Sequence, residues 1–374
     1  MWIAAAVACV LCLFAQASAT GASRSPEHTG LSPRVQEQVD YIISNQLSSG
    51  AILGPRTRIM PYFANNAAIG LVESGSPAAR ASALRWMEWY VAPLNRSAPP
   101  DVPAYSVFDY DFDPVTGEEV PTGDYDSVDS YASTALNLAW RAYSSRDPRL
   151  SQFVKDHMAQ YDGIARLLTQ PAPDGVLVTS GPDAGLTIAK PSYPIAYTMD
   201  NAEVYSGLLD FARLNAAIGR HAEARTYRAA AKTIQAAMLD KLWNAQTSTW
   251  DYAFANPSGP NFYPGASAQL WPILYGVVEP DDPRAVSAWT SFNANYPTWF
   301  ENVDDSYAWT SIGSVAQIMG DHELAATHLD NIHARYAPSW SMPTGCGAVE
   351  CGVWYANEAG YFILVSLASE GHDD

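Results

Sequence analysis

The stretch Ser311-Ile312-Gly313-Ser314-Val315-Ala316 decides the fold, because its apolar residues recur at helical spacing, it carries no charge and its side chains are all small or apolar. Three further stretches are similarly poor in charge and rich in Ala, Gly or Ser: residues 66–71, 132–136 and 358–362. A helix that is apolar on all sides is buried, and small side chains let two such helices approach closely. The sequence therefore predicts a set of tightly packed inner helices.

The inner helices alternate along the chain with amphipathic, charged ones. Apolar residues recur at helical spacing in nearly every segment, and strand-like alternation is confined to short connectors such as residues 175–179. Start and stop residues predict twelve helices, at residues 33–47, 62–74, 77–92, 127–145, 149–169, 200–218, 221–241, 265–277, 283–294, 305–319, 321–336 and 354–369. Six buried helices ringed by six amphipathic ones make an all-α fold, an (α/α)6 barrel of six helical hairpins.

An open helical solenoid is the alternative architecture, since short connections between paired helices suit it as well. The connectors that lead into the inner helices are long, however, notably residues 93–126, 170–199 and 242–264, and no consensus repeats at a fixed period. Long loops gathered at one end are typical of a closed toroid with a functional face. In this architecture the chain resembles the six-hairpin glycosidase superfamily. That resemblance spans the predicted mature chain, implies a sugar-binding cleft at the inner-helix N-termini, and indicates no individual family.

The N-terminus predicts export. Residues 1–19 have the features of a signal peptide: an apolar run through Phe14, no charged side chain before Arg24, and the small-x-small site Ala17-Ser18-Ala19. We expect a secreted or periplasmic protein, with an uncleaved membrane anchor as the alternative, because no Lys or Arg precedes the apolar run. Residues 20–32 are predicted to be a flexible segment and residues 33–370 a single domain, since no linker or composition shift divides them.

Two cysteines, Cys346 and Cys351, remain after removal of the leader, and an oxidising compartment predicts a disulfide between them. The net charge of −18 belongs entirely to the mature chain, which disfavours nucleic acid and anionic membrane surfaces as partners. We expect a monomer with a carbohydrate substrate and no stable membrane association after cleavage. HExxH, GxSxG and phosphate-binding motifs are absent from the sequence, so we expect no metal and no cofactor.

The predicted starts of the inner helices are rich in carboxylates and aromatic residues. Glycoside hydrolysis needs one protonated and one ionised carboxyl group, and aromatic faces bind sugar rings. The predicted catalytic residues are Asp126 or Asp129 on one side and Glu203 or Asp305 on the other. Predicted substrate-binding or pKa-tuning residues are Tyr62, Asn66, Asp124, Tyr131, Asp200, Gln269, Trp271, Asp304, Tyr307, Trp309, Trp354 and Glu358.

A purely structural interpretation exists for most of these residues. Asp126, Asp200 and Asp304 can be helix N-caps, and the pairs Asp126/Asp129 and Asp200/Glu203 have the spacing of a capping box. At least half of the aromatic candidates for sugar stacking are expected to be core residues, and these candidates are Tyr62, Tyr131, Trp271, Tyr307, Trp309 and Trp354.

Three functions fit the sequence. A glycoside hydrolase acting on a neutral or weakly charged poly- or oligosaccharide is preferred. A polysaccharide lyase would need cations to neutralise a uronate, and Lys190, Arg56 and Arg58 are the nearest options. A non-catalytic carbohydrate-binding protein would use the same cleft without acid and base chemistry.

Overall fold

Thirteen α-helices make up most of the computed structural model, which describes residues 30–96, 102–259, 261–305, 307–337, 339–341 and 354–371. They are α1 (Pro33–Ser44), α2 (Pro61–Glu73), α3 (Pro77–Val91), α4 (Val128–Ser144), α5 (Pro148–Asp156), α6 (Met158–Thr169), α7 (Thr198–Ala217), α8 (His221–Lys241), α9 (Ser267–Leu274), α10 (Pro283–Asn295), α11 (Ser311–Met319), α12 (His322–Tyr336) and α13 (Ala356–Glu370).

The predicted single helix over residues 149–169 is wrong, because it is divided into α5 and α6 at His157. The His157 backbone (φ −109°, ψ 18°) is not helical, and its ring Nδ1 lies 2.9 Å from the Phe153 carbonyl oxygen. The ring also stacks on Phe153. These contacts end α5, and the two short helices together occupy one outer position.

Six helices close into an inner ring. Each packs against the next in the order α2, α4, α7, α9, α11 and α13, and α13 packs back against α2. An outer helix covers each inner one: α3 packs on α2, α6 on α4, α8 on α7, α10 on α9, α12 on α11 and α1 on α13. The predicted (α/α)6 barrel is therefore confirmed, and the solenoid is excluded because the ring closes.

A close approach of two inner helices joins α2 to α13 through two glycines. A Cβ atom added to Gly360 would lie 2.5 Å from the Asn66 carbonyl oxygen and 2.9 Å from the Ala67 Cα. A Cβ added to Gly70 would lie 2.7 Å from the Gly360 Cα. These neighbours are backbone atoms that no side-chain rotation can move, so the small residues of both stretches are required by backbone contact.

We expect Gly360→Ala to destabilise the protein by about 2 kcal/mol, because overpacking a helix contact outweighs the roughly 1 kcal/mol that Ala gains in helix propensity. Gly371→Ala is the matched control, since its added Cβ would meet no atom closer than 3.5 Å. Urea unfolding of both variants measures the difference. A Gly360→Ala protein as stable as wild type would contradict the backbone contact.

The long loops before the inner helices carry short strands. β1 (Arg58–Ile59), β2 (Tyr110–Phe112) and β3 (Glu119–Pro121) form an antiparallel sheet in that order, with Ile59 opposite Tyr110 and Asp111 opposite Val120. β4 (Trp243–Asn244) pairs with β5 (Thr249–Trp250). These strands lie in connectors, as predicted, and they hold the loops over the ring.

The helix predicted over residues 305–319 starts later than expected, at Ser311. Asp305 accepts a hydrogen bond from the Tyr307 N–H (2.7 Å), and the Thr310 N–H is bound by Glu358 of α13 (2.7 Å). Trp309 has a left-handed backbone conformation, with φ 48°. Residues before Ser311 are therefore held as a loop by contact with α13.

Several predictions fall outside the described residues: the signal peptide at 1–19, most of the segment 20–32, and the Cys346–Cys351 disulfide. Among the α-helices that the structure describes, none is both long and apolar enough to span a membrane.

Candidate active site

Three inner helices meet at Glu203. Its Oε1 accepts hydrogen bonds from the Tyr62 hydroxyl of α2 (2.7 Å) and from the Trp271 indole N–H of α9 (2.9 Å). The side chain is only 1% exposed. No hydrogen bond of ordinary geometry from a described residue reaches its other oxygen, Oε2. Glu203 is therefore a buried carboxyl group held from one side at the centre of the ring.

Asp129 is a second buried carboxyl group, on α4 and fully shielded from solvent. Its Oδ1 accepts from the Ser127 hydroxyl (2.8 Å) and the Ser130 N–H (3.0 Å), and its Oδ2 accepts from the Thr187 hydroxyl (2.7 Å). Thr187 belongs to the loop before α7, so Asp129 joins α4 to that loop. Both of its oxygens are satisfied.

Two further carboxyl groups of the same cluster reach solvent. Asp200, in the first turn of α7, is partly exposed, and its Oδ2 lies 2.5 Å from the Ser127 hydroxyl oxygen. Asp126, just before α4, is exposed, and its N–H donates to the Tyr131 hydroxyl (3.3 Å). The carboxylate cluster (Asp126, Asp129, Asp200 and Glu203) thus has two open and two buried members.

Burial raises the pKa of every member of the carboxylate cluster, and repulsion within the cluster adds to this rise for Asp129, Asp200 and Glu203. Burial is the main cause for Asp129 and Glu203, whose pKa rises to about 7 in each case. Burial and then the charge of Asp129 raise the pKa of Asp200 well above its usual range. Burial also raises the pKa of Asp126, although the neighbouring Lys190 charge opposes this. A cluster of this kind retains protons near neutral pH.

Helix capping does not explain these carboxyl groups. The N-cap residues are Ser127 for α4 and Tyr197 for α7, and neither makes a side-chain capping hydrogen bond. Asp200 lies inside α7, and Asp126 precedes the N-cap of α4. The capping-box interpretation of both pairs is therefore wrong, because the helices begin at other residues.

Exposed tyrosines lie near the open carboxyl groups. Tyr263 is 56% exposed and stacks on Trp309, with ring centroids 5.4 Å apart and planes inclined by 20°. Burial is the main cause that raises the pKa of the Tyr263 hydroxyl, and the charges of Asp200, Asp126 and Glu203 raise it further. Tyr193 is 51% exposed, and its hydroxyl lies 3.3 Å from that of Tyr197. These rings suit stacking against an apolar sugar face.

The cations near the cluster are engaged. Lys190 donates to Asp124 Oδ1 (2.8 Å) and to the Tyr125 carbonyl oxygen (2.6 Å), and Arg58 pairs with Asp111 (3.1 Å). The Arg56 side chain lies outside the described part of the chain. Among the described residues, no three His, Cys, Asp or Glu side chains are grouped as metal ligands.

Several predicted binding residues are core residues instead of cleft residues. Gln269 binds the Trp250 backbone through both ends of its amide. Trp354 is fully buried and donates to Gln38. Four more are buried against neighbouring helices or loops: Asn66, Tyr131, Tyr307 and Glu358.

The predicted residues before α11 do not join the carboxylate cluster through any described hydrogen bond. Asp305 binds the N–H of Tyr307, and Asp304 is exposed beside Thr298 (3.5 Å). Trp309 is partly exposed and stacks on Tyr263. Asp124 is exposed and paired with Lys190.

Ser127, Thr187 and Tyr263 are site residues that were not among the sequence-based candidates, and Lys190 was a candidate only as the cation of a lyase. Thr187 and Lys190 come from the long loop before α7, which carries no motif that indicates where it folds. Ser127 lies between two selected aspartates and is indistinguishable from an ordinary N-cap residue in sequence.

Titration of buried groups makes the stability of the fold depend on pH. Burial raises the pKa of Glu203 to about 7 and that of Asp109 to about 6, and burial and neighbouring carboxylates raise the pKa values of the Asp129/Asp200 pair. The folded chain therefore keeps protons that the unfolded chain has released, and stability falls as pH rises through this window. Burial lowers the pKa of His328 to about 4, so His328 costs stability as pH falls from about 6.5 towards 4.

We expect the carboxyl groups to outweigh the single imidazole, so that the free energy of unfolding is larger at about pH 5 than at about pH 8, by about 2 kcal/mol or more. Urea unfolding at the two pH values measures this difference. Glu203→Gln should reduce it, because one raised pKa is removed. Equal stability at both values, or higher stability in alkali, would refute the argument.

The sequence matches no protein-family model and no curated protein, but solved structures match over nearly its whole length. A glycosidase variant in complex with glucose has a TM-score of 0.63 at 13% identity, covering 90% of this chain and 96% of that one. A metal-independent α-mannosidase from Streptococcus pneumoniae, in a non-productive complex with α-1,6-mannobiose, has a TM-score of 0.61 at 12% identity, covering 90% and 93%.

An α-mannanase of glycoside hydrolase family 76 from Bacteroides thetaiotaomicron has a TM-score of 0.57 at 11% identity, covering 91% of this chain and 96% of that one. At these identities the likeness establishes the fold alone. The chain has the helical-toroid fold of the six-hairpin glycosidases.

Proposed function

We propose that this chain, a helical toroid of the six-hairpin glycosidase type, is an exported glycoside hydrolase that acts on a neutral or weakly charged poly- or oligosaccharide. The carboxylate cluster at the convergent starts of α4 and α7 carries the proposal. It combines two open carboxyl groups with two buried ones, of which Asp129 repels Asp200, and exposed tyrosines lie beside it. Hydrolysis requires this combination of a protonated and an ionised carboxyl group.

Asp200 is proposed as the general acid. It is partly exposed, and both burial and the neighbouring Asp129 charge raise its pKa. A carboxyl group that is protonated near neutral pH can give its proton to the leaving glycosidic oxygen. The two buried members, Asp129 and Glu203, would maintain this pKa without touching the substrate.

Asp126 is proposed as the ionised partner, acting as base or nucleophile. It is the more exposed of the two open carboxyl groups, and although burial raises its pKa, the Lys190 charge opposes that rise and favours the anionic form. The Tyr131 hydroxyl fixes its backbone, and that hydroxyl in turn donates to Asp109 (2.8 Å). Asp126 is therefore held just before α4, while the proposed acid lies on the neighbouring helix α7.

The state of the cations favours hydrolysis over β-elimination. A lyase needs a free cation to neutralise the uronate carboxylate. Lys190 is bound by Asp124 and the Tyr125 carbonyl, and Arg58 is bound by Asp111. A negatively charged polymer would also meet repulsion from the carboxylate cluster.

The proposal is tested by incubating the purified chain, without residues 1–19, with a broad polysaccharide panel. We expect new reducing ends from wild type and none from an Asp126→Asn/Asp200→Asn double variant. Ultraviolet absorbance of an unsaturated uronide would support a lyase instead. Binding of a glycan without bond cleavage would support a carbohydrate-binding protein and reject the hydrolase.

Tyr263 is expected to form a sugar-stacking platform. We expect Tyr263→Ala to raise KM on the active substrate by about tenfold with a smaller change in kcat, because a stacked ring contributes about 1 kcal/mol or more of binding. Tyr263→Phe should remain close to wild type, since stacking needs only the ring. Val303→Ala, at another exposed apolar residue, is the matched control. An unchanged KM in Tyr263→Ala would contradict the stacking role of Tyr263.

A further inference from the structure

The Ser127 hydroxyl lies between two carboxyl groups. Its oxygen is 2.8 Å from Asp129 Oδ1 and 2.5 Å from Asp200 Oδ2, and both distances are those of hydrogen bonds. A serine hydroxyl has one proton to donate and lone pairs with which to accept. It can therefore donate to only one of the two carboxyl groups, and the other contact needs a proton from the carboxyl side.

We infer that Ser127 is a positioning residue that holds one shared proton on the Asp129/Asp200 pair, with Asp200 donating to Ser127 and Ser127 donating to Asp129. This inference rests on the proposed function, because it assigns the residue that keeps the general acid protonated. The arrangement consists of hydrogen bonds alone and requires no covalent bond to Ser127.

The other donors fix which carboxyl group carries the proton. Asp129 accepts from the Ser130 N–H (3.0 Å) and the Thr187 hydroxyl (2.7 Å) independently of Ser127. Asp200 is partly exposed, and besides Ser127 only the Ser130 side chain acts on it as a hydrogen-bond donor among the described residues, so without Ser127 it has one donor where Asp129 has two. The anion is therefore better stabilised on Asp129 and the proton on Asp200.

Ser127 is free for this role because it does not cap its helix. It is the N-cap residue of α4, yet its side chain makes no capping hydrogen bond. Its hydroxyl is directed to the carboxyl groups instead. Ser127→Ala therefore removes the bridge without removing a cap, and the variant should fold.

Other titratable groups face Asp200 and belong in any interpretation of its pH dependence. Asp126 and Asp129 face it from the α4 side, Glu203 shares α7, and Tyr197 and Tyr263 lie close enough to feel its charge. Lys190 faces Asp126. Because none of these groups is altered in Ser127→Ala, a changed pH profile reports on the bridge.

The experiment compares the pH profiles of kcat/KM for wild type, Ser127→Ala and Ser127→Thr on the active glycan. With one proton on the pair the bridge makes two hydrogen bonds, and after the proton leaves it makes one. Loss of the Ser127 hydroxyl should therefore move the alkaline limb of the pH profile to lower pH by about one unit in Ser127→Ala. The acidic plateau should remain within about threefold, and Ser127→Thr should restore the wild-type limb. An unmoved limb in Ser127→Ala, or no recovery in Ser127→Thr, would overturn the inference.

A readout independent of activity separates this inference from the proposed function. Infrared spectra should contain, beside the contribution of Glu203, a protonated-carboxyl stretch at about pH 7 in wild type that Asp200→Asn lacks. As the pH is raised, this stretch should be lost at a lower pH in Ser127→Ala than in wild type. If no glycan is hydrolysed but this band behaves as expected, the proposed function fails and the bridge stands. If Ser127→Ala leaves the pH dependence of this band unchanged, the inferred bridge is wrong whatever the activity.

Discussion

Replacement of Asp200 by Asn should lower kcat on ordinary glycans by about a thousandfold, because the reaction loses the carboxyl group that protonates the leaving oxygen. Asp200 is the open carboxyl group whose pKa is raised most, because burial and the charge of Asp129 both favour its protonated form. Asn has nearly the same shape and keeps an oxygen to face Ser127, so the fold should survive. Steady-state kinetics on the glycan identified by the panel measures the effect.

The leaving group distinguishes an acid from a merely structural residue. A substrate whose aryl leaving group needs no protonation should lose only about tenfold or less in Asp200→Asn. Asp304→Asn, at an exposed acidic residue beside Thr298, is the matched control and should match wild type on both substrates. Equal losses on the two substrates in Asp200→Asn would exclude the acid role.

Asp126→Ala should lower kcat by about a thousandfold or more on every substrate, because activation of water or attack on the sugar requires an anion at this position. Asp126 is exposed at the cleft, and Lys190 favours its ionised form. Added azide or formate should restore part of the activity, since a small anion can occupy the space of the missing carboxylate. The same anions should not rescue Asp200→Ala on glycans with poor leaving groups.

Asp305→Asn provides the comparison for Asp126. Asp305 accepts a hydrogen bond from the Tyr307 N–H, and the Asn amide oxygen can accept the same bond. Activity within about threefold of wild type is therefore expected. A loss in Asp305→Asn as large as that in Asp126→Ala would assign the ionised partner to the loop before α11.

The ring could be predicted because its contacts depend on local composition. Gly360 and its small neighbours mark α13 as an inner helix, and its backbone contact with α2 uses that absence of side chains. The start of α11 could not be predicted in the same way. It depends on the hydrogen bond from the Thr310 N–H to Glu358, across 48 residues of sequence.

The candidate site could likewise be predicted only where it depends on local sequence. Asp126, Asp129 and Glu203 could be selected because they lie near the starts of apolar helices, and the structure brings them together with Asp200. Their exposure, which separates acid and base candidates from buried tuning groups, depends on loops that fold back from far along the chain. Thr187 binds Asp129 across 58 residues of sequence, for example, and no local pattern indicates that contact.

The most direct test of the central claim is digestion of the active glycan in water enriched in the heavy oxygen isotope, followed by mass spectrometry of the products. If Asp200 and Asp126 catalyse hydrolysis, each new reducing end should carry one heavy oxygen, and neither Asp200→Asn nor Asp126→Ala should release comparable product. Products that lack the label and have lost a water molecule, or labelled products formed equally well by both variants, would contradict the account.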